Sequence, residues 1–438
     1  MAFSSAPSPV PSAGVATGSD LLRFAAIGSV DDGKSTLIGR LLHDTKQLFD
    51  DQLEAISVAS RRRGVDGIDL AYVTDGLRAE REQGITIDVA YRYAATPHRK
   101  FVIADCPGHV QYTRNMATGA STADLAVVVV DAVSGLREQT RRHCCIAALL
   151  GVRHLLVAAN KMDLAGWDEL AFRAVADDIG ELARRLHVES VVTVPVSALH
   201  GDNVVDPSPN TPWYDGPTVL AALEQAPAGA WASGGGSGPR LPVQWVVRNP
   251  AGGRSYAGMV SGGTLRRGDE VVVLPGGQQS TVADIRTFDG PLPEAPASLS
   301  VNVSLADDID VARGDLIATV GSAPPTSPEL EATVCWFSDR PIEAGQQFRV
   351  KHTTRVTPAR VVSVESRLDV ASLELRPSPH LADNDIGVVR LVTATPLAAD
   401  PYRVNRVTGS FVLIDEATNA TVGAGMVGAP AIAEPRGS

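Results

Sequence analysis

The sequence predicts an α/β domain built around a phosphate-binding loop, followed by two all-β barrel domains. From residue 21 to about residue 200, short apolar runs alternate with helical patterns, which is typical of a mainly parallel sheet wrapped by helices. A phosphate-loop pattern joins the first apolar run to the first helical pattern. After residue 240 the helical patterns nearly vanish, and short strands are separated by Gly and Pro, as in small closed barrels.

The phosphate loop Gly28–Ser35 reads GSVDDGKS and matches G-x-x-x-x-G-K-[ST] at every fixed position. Its glycines let successive backbone N–H groups point inward, and the following helix adds its positive end to a concavity that suits polyphosphate. We expect Lys34 to contact the outer phosphates and the Ser35 hydroxyl to ligate Mg²⁺. The alternative is an accidental Gly-rich turn, which the flanking strand and helix patterns disfavour.

Strand and helix patterns place this loop, and the later motifs, at the carboxyl ends of strands, where ligands bind to open α/β sheets. The predicted strands of the first domain are Phe24–Ile27, Ile87–Tyr93, Phe101–Ala104, Leu125–Asp131, Leu155–Ala159 and Val191–Val196. The predicted helices are Thr36–His43, Arg137–Leu150, Glu169–Leu186 and Thr218–Glu224.

Length and composition indicate a soluble protein of about three domains. The chain has 438 residues, of which 44% are hydrophobic and 20% are charged. Its 39 basic and 50 acidic residues give a net charge of −11, which argues against a large surface for binding nucleic acid. No stretch approaches the roughly 18 uninterrupted apolar residues of a membrane span. The four cysteines lack C-x-x-C spacing, and we expect Cys144 and Cys145, neighbours in a helical run, to be buried. A reducing, cytoplasmic location follows.

Changes in composition predict the domain limits. Residues 1–20 are rich in Ser, Ala, Pro and Gly, and they lack the features of a secretory signal, so we expect a disordered tail. The predicted divisions after it are a nucleotide-binding domain at 21–226, a flexible linker at 227–240, and β-barrel domains at 241–322 and 329–430. Within the barrels, we expect the aromatic side chains of Trp245, Trp336 and Phe348 to lie in the core.

Two further motifs predict contacts with the γ-phosphate and the metal. Asp105 ends a strand and begins Asp-Cys-Pro-Gly-His, so its carboxylate is placed to hold Mg²⁺ and the Gly108 N–H to reach the γ-phosphate. Thr86, in a charge-rich stretch upstream, could complete the Mg²⁺ shell only when the γ-phosphate is present, which would make that stretch a switch. Taken alone, Asp-x-x-Gly is a common turn and Thr86 an ordinary strand-entry residue.

The next two motifs predict that the base is guanine. The carboxylate of Asp163, in Asn-Lys-Met-Asp, can accept hydrogen bonds from the N1 and N2 donors of guanine, a pair that adenine lacks. Asn160 can serve N7 and hold the loop, and the stem of Lys161 can lie over the base. The run Ser197-Ala198-Leu199 follows another strand and would offer a backbone N–H to the guanine carbonyl oxygen. GTP with Mg²⁺ is therefore the predicted ligand.

The order of these motifs resembles the translation-factor class of GTPases, the relatives of elongation factor Tu, in which two β-barrels follow the GTPase domain. Within that class, residues 41–45 (LLHDT), 79–91 (AEREQGITIDVAY) and 213–218 (WYDGPT) are similar to the large GTPase subunit of bacterial sulfate adenylyltransferase. Elongation factors usually carry His-Val-Asp-His between the loop glycines. The Ser-Val-Asp-Asp found here favours the sulfate-assimilation family.

This resemblance implies that GTP hydrolysis drives formation of adenosine 5′-phosphosulfate on a separate, small catalytic subunit. It also implies His109 as the residue that orients attacking water, acting with Lys34 and Thr86, and Val30 and Ile85 as an apolar gate. The implied metal ligands are Ser35, Thr86 and Asp105. The implied nucleotide contacts are Gly28, Val30, Asp31, Asp32, Gly33, Lys34, Ser35, Thr36, Asp105, Gly108, Asn160, Lys161, Asp163, Ser197, Ala198 and Leu199.

Two alternatives stay open at this point. A tRNA-delivering elongation factor would share the GTP site, but the acidic balance and the Asp31-Asp32 pair disfavour it, and we expect no nucleic-acid partner. A relative that serves a sulfation pathway for glycolipid signals would have the same core chemistry. No second phosphate loop follows, so we expect no adenylylsulfate kinase domain in this chain. The nine histidines form no H-x-x-H or H-x-G-H pair, so we expect ATP and sulfate to bind the partner.

Overall fold

The computed structural model describes residues 21–47, 70, 88–228, 236–248 and 253–430. Its first unit contains six strands: β1 (Leu21–Gly28), β2 (Ala90–Ala95), β3 (Lys100–Asp105), β4 (Leu125–Asp131), β5 (His154–Asn160) and β6 (Ser190–Pro195). Five α-helices accompany them among the described residues: α1 (Lys34–Asp44), α2 (Thr113–Ala120), α3 (Glu138–Leu149), α4 (Glu169–Arg185) and α5 (Val219–Gln225).

The six strands form one sheet in the order β2-β3-β1-β4-β5-β6. All neighbouring pairs are parallel except β2 with β3, so the predicted, mainly parallel sheet has one antiparallel edge strand. Strand β4 reads LAVVVVD and is buried at every position, as expected for a central strand that helices cover on both faces. At the edge, β2 alternates between half-buried and exposed residues, because only one face packs on the core.

Helix α2 was not predicted from the sequence. Its residues TRNMATGA include Thr, Asn and Gly, which have low helix propensity, and the helix is held instead by burial of Met116, Ala117 and Ala120. A short 3₁₀ helix, Val110–Tyr112, leads into it directly from the Asp-Cys-Pro-Gly-His segment. The position of that segment is therefore tied to how α2 packs.

Two β domains follow. The first barrel domain comprises β7 (Arg240–Pro242), β8 (Trp245–Arg248), β9 (Arg254–Met259), β10 (Thr264–Arg266), β11 (Glu270–Leu274), β12 (Gln278–Thr287), β13 (Gly290–Leu292), β14 (Glu294–Pro296), β15 (Ser300–Leu305) and β16 (Leu316–Thr319). The second comprises β17 (Thr326–Trp336), β18 (Ile342–Glu343), β19 (Gln347–His352), β20 (Arg355–Asp369), β21 (Glu374–Pro377), β22 (His380–Leu381), β23 (Ile386–Ala398), β24 (Ser410–Ile414) and β25 (Thr421–Val427).

The main sheet of the second barrel domain runs β19-β24-β25-β17-β23-β20-β21, and the pairing of β19 with β20 closes it into a ring. Trp336 and Phe348 pack edge to face in its core, with ring centroids 5.5 Å apart, as predicted. The prediction for Trp245 is wrong, because its side chain is 65% exposed. Trp245 lies on β8, the end strand of the first barrel's main sheet, and its side chain points away from the barrel core.

The three units are packed against one another. One hydrophobic cluster extends from the α/β sheet into the second barrel domain, where it includes Cys335 and Met426. The two barrels are joined by a buried ion pair in which Nε and Nη2 of Arg240 each lie 3.0 Å from the carboxylate of Asp400. All four cysteines are buried and free, and the burial predicted for Cys144 and Cys145 is confirmed. None of the helices in the described ranges is long and apolar enough to cross a membrane.

Candidate functional site

The phosphate loop connects β1 to α1 at the carboxyl edge of the sheet, where the sequence predicts it. Close contacts explain two of its glycines. A Cβ on Gly28 would lie 2.6 Å from the carbonyl oxygen of Val129, and a Cβ on Gly33 would lie 2.3 Å from Nδ2 of Asn160. Gly33 also has φ of 92°, a left-handed conformation that favours glycine. The neighbouring strands β4 and β5 therefore leave room in the loop only for a backbone without side chains at these two positions.

The side chain of Asn160 joins three of the predicted motifs. Its Nδ2 donates to the backbone carbonyl of Asp32 at 2.8 Å, and its Oδ1 accepts from the backbone N–H of Ala198 at 2.9 Å. Asn160 is the last residue of β5 and is buried, so both bonds are shielded from water. The structure shows this residue holding the loops together, whereas its contact with guanine N7 stays a prediction.

Lys34 and Asp105 face each other at the centre of the site. The Lys34 ammonium lies 3.8 Å from Oδ1 of Asp105, and both side chains are buried. The two residues meet because Asp105 ends β3, whose neighbour β1 leads into the loop. This arrangement fits the predicted chemistry, since a buried carboxylate and the nearby Ser35 hydroxyl are the hard oxygen ligands that Mg²⁺ prefers. The described residues contain no cluster of three His, Cys, Asp or Glu that could hold a metal unaided.

Lys161 and Asp163 form the predicted base-reading corner. Lys161 has φ of 62°, and its ammonium lies 2.9 Å from Oδ2 of Asp131, the last residue of the neighbouring strand β4. The pKa of Asp131 is lowered from its ordinary value, so the carboxylate stays charged. Burial alone would raise this pKa, but hydrogen bonds from Lys161 and from two backbone N–H groups outweigh it. The Oδ2 atom of Asp163 lies 3.9 Å from Nε2 of His200.

The Ser197-Ala198-Leu199 run contributes to the same corner, but its N–H groups are partly used. Ala198 donates to Asn160, and the N–H of Ser197 donates to the carbonyl of Asp202 at 3.3 Å. A hydrogen bond to a guanine carbonyl oxygen therefore requires the N–H of Leu199 or a shift of the Asn160 amide. The Leu199 side chain is 61% exposed at the edge of the corner.

The residues predicted to lie next to the outer phosphates are only partly described. Gly108 lies against the phosphate loop, since a Cβ there would be 3.1 Å from the backbone nitrogen of Val30. The ring of His109 packs edge to face on Tyr112, with centroids 6.2 Å apart. Asp31 is exposed and has φ of 64°, and Thr36 is half-buried on α1. The predicted gate residue Ile85 and the predicted switch residue Thr86 lie outside the described residues.

Comparison with known proteins adds to this geometry. The family model "Elongation factor Tu GTP binding domain" matches residues 19–228, and "GTP-eEF1A C-terminal domain-like" matches residues 329–428. The "Bifunctional enzyme CysN/CysC" of Mycobacterium tuberculosis (strain ATCC 25618 / H37Rv) is 54% identical over 415 residues, which is 93% of this chain and 67% of the relative. "Sulfate adenylyltransferase subunit 1" of Laribacter hongkongensis (strain HLHK9) is 49% identical over 411 residues, which is 93% of this chain and 85% of the relative. The chain belongs to the sulfate adenylyltransferase subunit 1 family.

The resemblance stated from the motifs is thereby confirmed, and so is the fold class, an α/β P-loop GTPase domain followed by all-β barrel domains. A solved structure of sup35 complexed with GDP also matches, at 24% sequence identity and a TM-score of 0.42, covering 93% of both chains. The predicted domain limits and the predicted site residues stay predictions.

In this member of the sulfate adenylyltransferase subunit 1 family, Arg137 contacts the phosphate loop, which sequence analysis missed. Its Nη1 donates to the carbonyl oxygen of Val30 at 3.1 Å and lies 3.7 Å from Oδ1 of Asp32. The Asp32 carboxylate is buried, and its Oδ2 accepts the N–H of Ser29 at 3.1 Å. The pKa of Asp32 is raised, because the effect of burial exceeds the opposing effect of the Arg137 guanidinium. Arg137 thus holds both the backbone and the acidic side chain of the loop.

Buried polar side chains of helix α3 pack against the phosphate loop. The hydroxyls of Ser29 and Thr140 lie 3.0 Å apart, and Nε2 of Gln139 lies 2.8 Å from Nε2 of His143. Burial lowers the pKa of His143 to about 3, so this ring is neutral at physiological pH. The sequence does hold a signal for this support: Thr140 and His143 are polar residues three apart on the buried face of the helix.

We predict that Arg137→Ala weakens GDP binding by about three- to tenfold, because one charge-assisted hydrogen bond on a partly exposed side chain is lost. The measurement is displacement of a fluorescent guanine nucleotide from the purified chain. Arg141→Ala, four residues further along in the first turn of α3, is the matched control and should bind GDP normally. Equal affinities for the two variants would show that Arg137 does not hold the loop.

Proposed function

We propose that the chain is the GTP-hydrolysing subunit of a sulfate adenylyltransferase, and that its GTP turnover drives formation of adenosine 5′-phosphosulfate on a separate catalytic subunit. The observation that carries this proposal is the arrangement of the predicted motifs around the phosphate loop in a member of this family. Asn160 bonds both the phosphate loop and the Ser-Ala-Leu run, and the Lys34 ammonium lies 3.8 Å from Asp105, the predicted metal ligand. The proposed ligands are GTP and Mg²⁺.

The phosphate loop would bind the phosphates of GTP. The backbone N–H groups of Gly28–Ser35 and the positive end of α1 would surround the β-phosphate, and the buried ammonium of Lys34 would move from Asp105 to the outer phosphates. Ser35 and Asp105 would hold Mg²⁺, together with Thr86, and the ion would neutralise charge on the outer phosphate oxygens. His109 would orient the attacking water, since its segment lies against the phosphate loop at Gly108.

The carboxylate of Asp163 would select guanine, because this base offers two neighbouring hydrogen-bond donors. Asp163 would accept from N1 and N2 of the base, while Lys161, held by Asp131, would cover its face. Adenine would leave the carboxylate without this donor pair, which costs about 1–3 kcal/mol for each missing bond.

We predict that Asp163→Asn changes base preference. The amide replaces one acceptor by a donor, so affinity for GTP should fall by at least about tenfold and affinity for xanthosine 5′-triphosphate should rise, since xanthine offers a carbonyl at C2. The measurement is competition of the two triphosphates for the same labelled nucleotide. Asp202→Asn, on the neighbouring loop, is the matched control. Unchanged preference for GTP in the Asp163 variant would contradict the proposed base contact.

Sulfate activation requires a second nucleotide site, which we place on the partner. Adenylyl transfer consumes ATP, whereas the one complete phosphate loop in this sequence leads to a corner suited to guanine. The relative from Laribacter hongkongensis carries the name "subunit 1", which implies an assembly with at least one other subunit. The partner would therefore bind ATP and sulfate, and this chain would supply the free energy of GTP hydrolysis.

The proposed function is tested by sulfate-dependent release of pyrophosphate from ATP in the presence of GTP. We expect no release from the purified chain alone, and release accompanied by faster GTP turnover after the catalytic subunit of the same organism is added. His109→Ala in that mixture should lower GTP turnover by roughly 10²–10⁴ while nucleotide affinity stays normal. Sulfate-dependent activity of the chain alone, or a His109 variant that hydrolyses GTP at the normal rate, would overturn the assignment.

A further inference from the structure

A cavity of about 510 Å³ lies between the α/β domain and the two barrels, away from the nucleotide site. Helix α2 and the end of α3 form one wall, the second barrel domain forms most of the opposite wall, and Met259 of the first barrel domain lies at the edge. Its volume is within the range of about 300–1,000 Å³ that is typical of pockets for small organic ligands. Nothing in the proposed GTP chemistry uses it.

The charged residues of the cavity all have the same sign. Its charged lining residues are Arg114, Lys351 and Arg406, and the described residues that line it include no Asp or Glu. This concentration of positive charge occurs in a chain whose net charge is −11. The cavity is therefore suited to a negatively charged group.

Arg406 is the most deeply placed of these cations. Its Nη2 donates to the carbonyl of Gly151, across the domain boundary, whereas its Nη1 is buried and has no hydrogen-bond partner among the described residues. Burial lowers the pKa of Arg406, and nearby Arg153 acts in the same direction, while Tyr402 and Asp124 partly offset them. Arg406 therefore adds a half-buried positive charge to the wall of the cavity.

The remaining walls are apolar and aromatic. They include Phe337 and Phe411, together with the thioether side chains of Met259 and Met426. Rings and sulfur atoms of this kind favour contact with a flat aromatic group. An inorganic ion would pair with the cations but would leave the half-buried Phe337 and Met259 in contact with water. The cavity therefore fits a ligand that has both an anionic and an apolar part.

We propose that this interdomain cavity binds a small organic anion that combines an aromatic ring with a phosphate or sulfate group and has the size of a nucleoside monophosphate. Arg114 approaches from α2, where its Nη1 also reaches the carbonyl of Thr421 at 3.4 Å, and Lys351 approaches from β19 and makes no ion pair with any described residue. The ligand would therefore bridge the α/β domain and the second barrel domain.

The test is equilibrium dialysis of the full chain with radiolabelled adenosine 5′-phosphate, with GDP and Mg²⁺ at saturating concentration so that the phosphate loop is occupied. A ligand of this size is expected to bind with a Kd on the order of 10 µM. Adenosine and inorganic phosphate, tested separately as competitors, should each bind at least about tenfold more weakly, since each supplies only one of the two parts.

Three variants locate the site. Arg114→Gln and Lys351→Gln should each weaken binding about tenfold, and Thr118→Trp, at an exposed lining position on α2, should block the cavity. Arg360→Gln, an exposed arginine of β20 outside the cavity, is the matched control and should bind normally. GDP affinity, measured in parallel, should be unchanged in all four, which separates this site from the nucleotide site.

Three results would overturn the proposal: no binding of adenosine 5′-phosphate up to about 1 mM, binding that GDP abolishes, or equal affinity in the cavity variants and in the Arg360 control. Because the assay measures binding in the presence of GDP and needs no partner subunit, its outcome does not depend on the proposed function.

Discussion

The two hydrogen bonds of the Asn160 side chain connect parts of the α/β domain that are far apart in sequence. One bond holds the phosphate loop through Asp32, and the other holds the Ser-Ala-Leu run through Ala198. Both depend on the register of the sheet, in which Asn160 pairs with Asp131 at the same carboxyl edge. Gly33 must lack a side chain for the amide to approach. The nucleotide site is thus a single structure rather than a set of independent motifs.

The second constraint is the continuous hydrophobic cluster between the α/β sheet and the second barrel domain. Cys145 of α3 and Cys335 of β17 lie in the same cluster, and Tyr402 donates to the carbonyl of Leu150 at 2.9 Å across the boundary. Helix α2 belongs to this contact and follows directly from the segment that carries Gly108 and His109. A change at the outer phosphates would therefore reach the barrel through α2, which offers a physical route between GTP turnover and a partner bound elsewhere.

Sequence analysis predicted the loop, a metal ligand and a base-reading corner because each of these motifs has a fixed chemistry at the end of a strand. The loop glycines and Asn160 fall where the motifs require them. Arg137 was missed, because its partners Val30 and Asp32 lie more than 100 residues away and no motif records the contact. Trp245 was placed in a core because a strand pattern does not tell which face of an end strand meets solvent.

The interdomain cavity could not be predicted from sequence at all. Arg114 and Arg406 are brought together only by the packing of α2 on the second barrel domain, and neither residue belongs to a recognisable pattern. The unpredicted helix α2 is the element that creates this wall. Its formation depends on burial of apolar residues against distant segments, which overrides the low helix propensity of its own sequence.

The central claim, that Asn160 makes one site from separate loops, is tested most directly by the GDP affinity of Asn160→Ala. Loss of two buried hydrogen bonds predicts about a 100-fold weaker Kd. Asn203→Ala is the matched control, since Asn203 is also buried and bonds the carbonyl of Pro195 and the hydroxyl of Thr211, outside the site. Its GDP affinity should stay within about threefold of normal. Equal GDP affinities for the two variants would contradict the account.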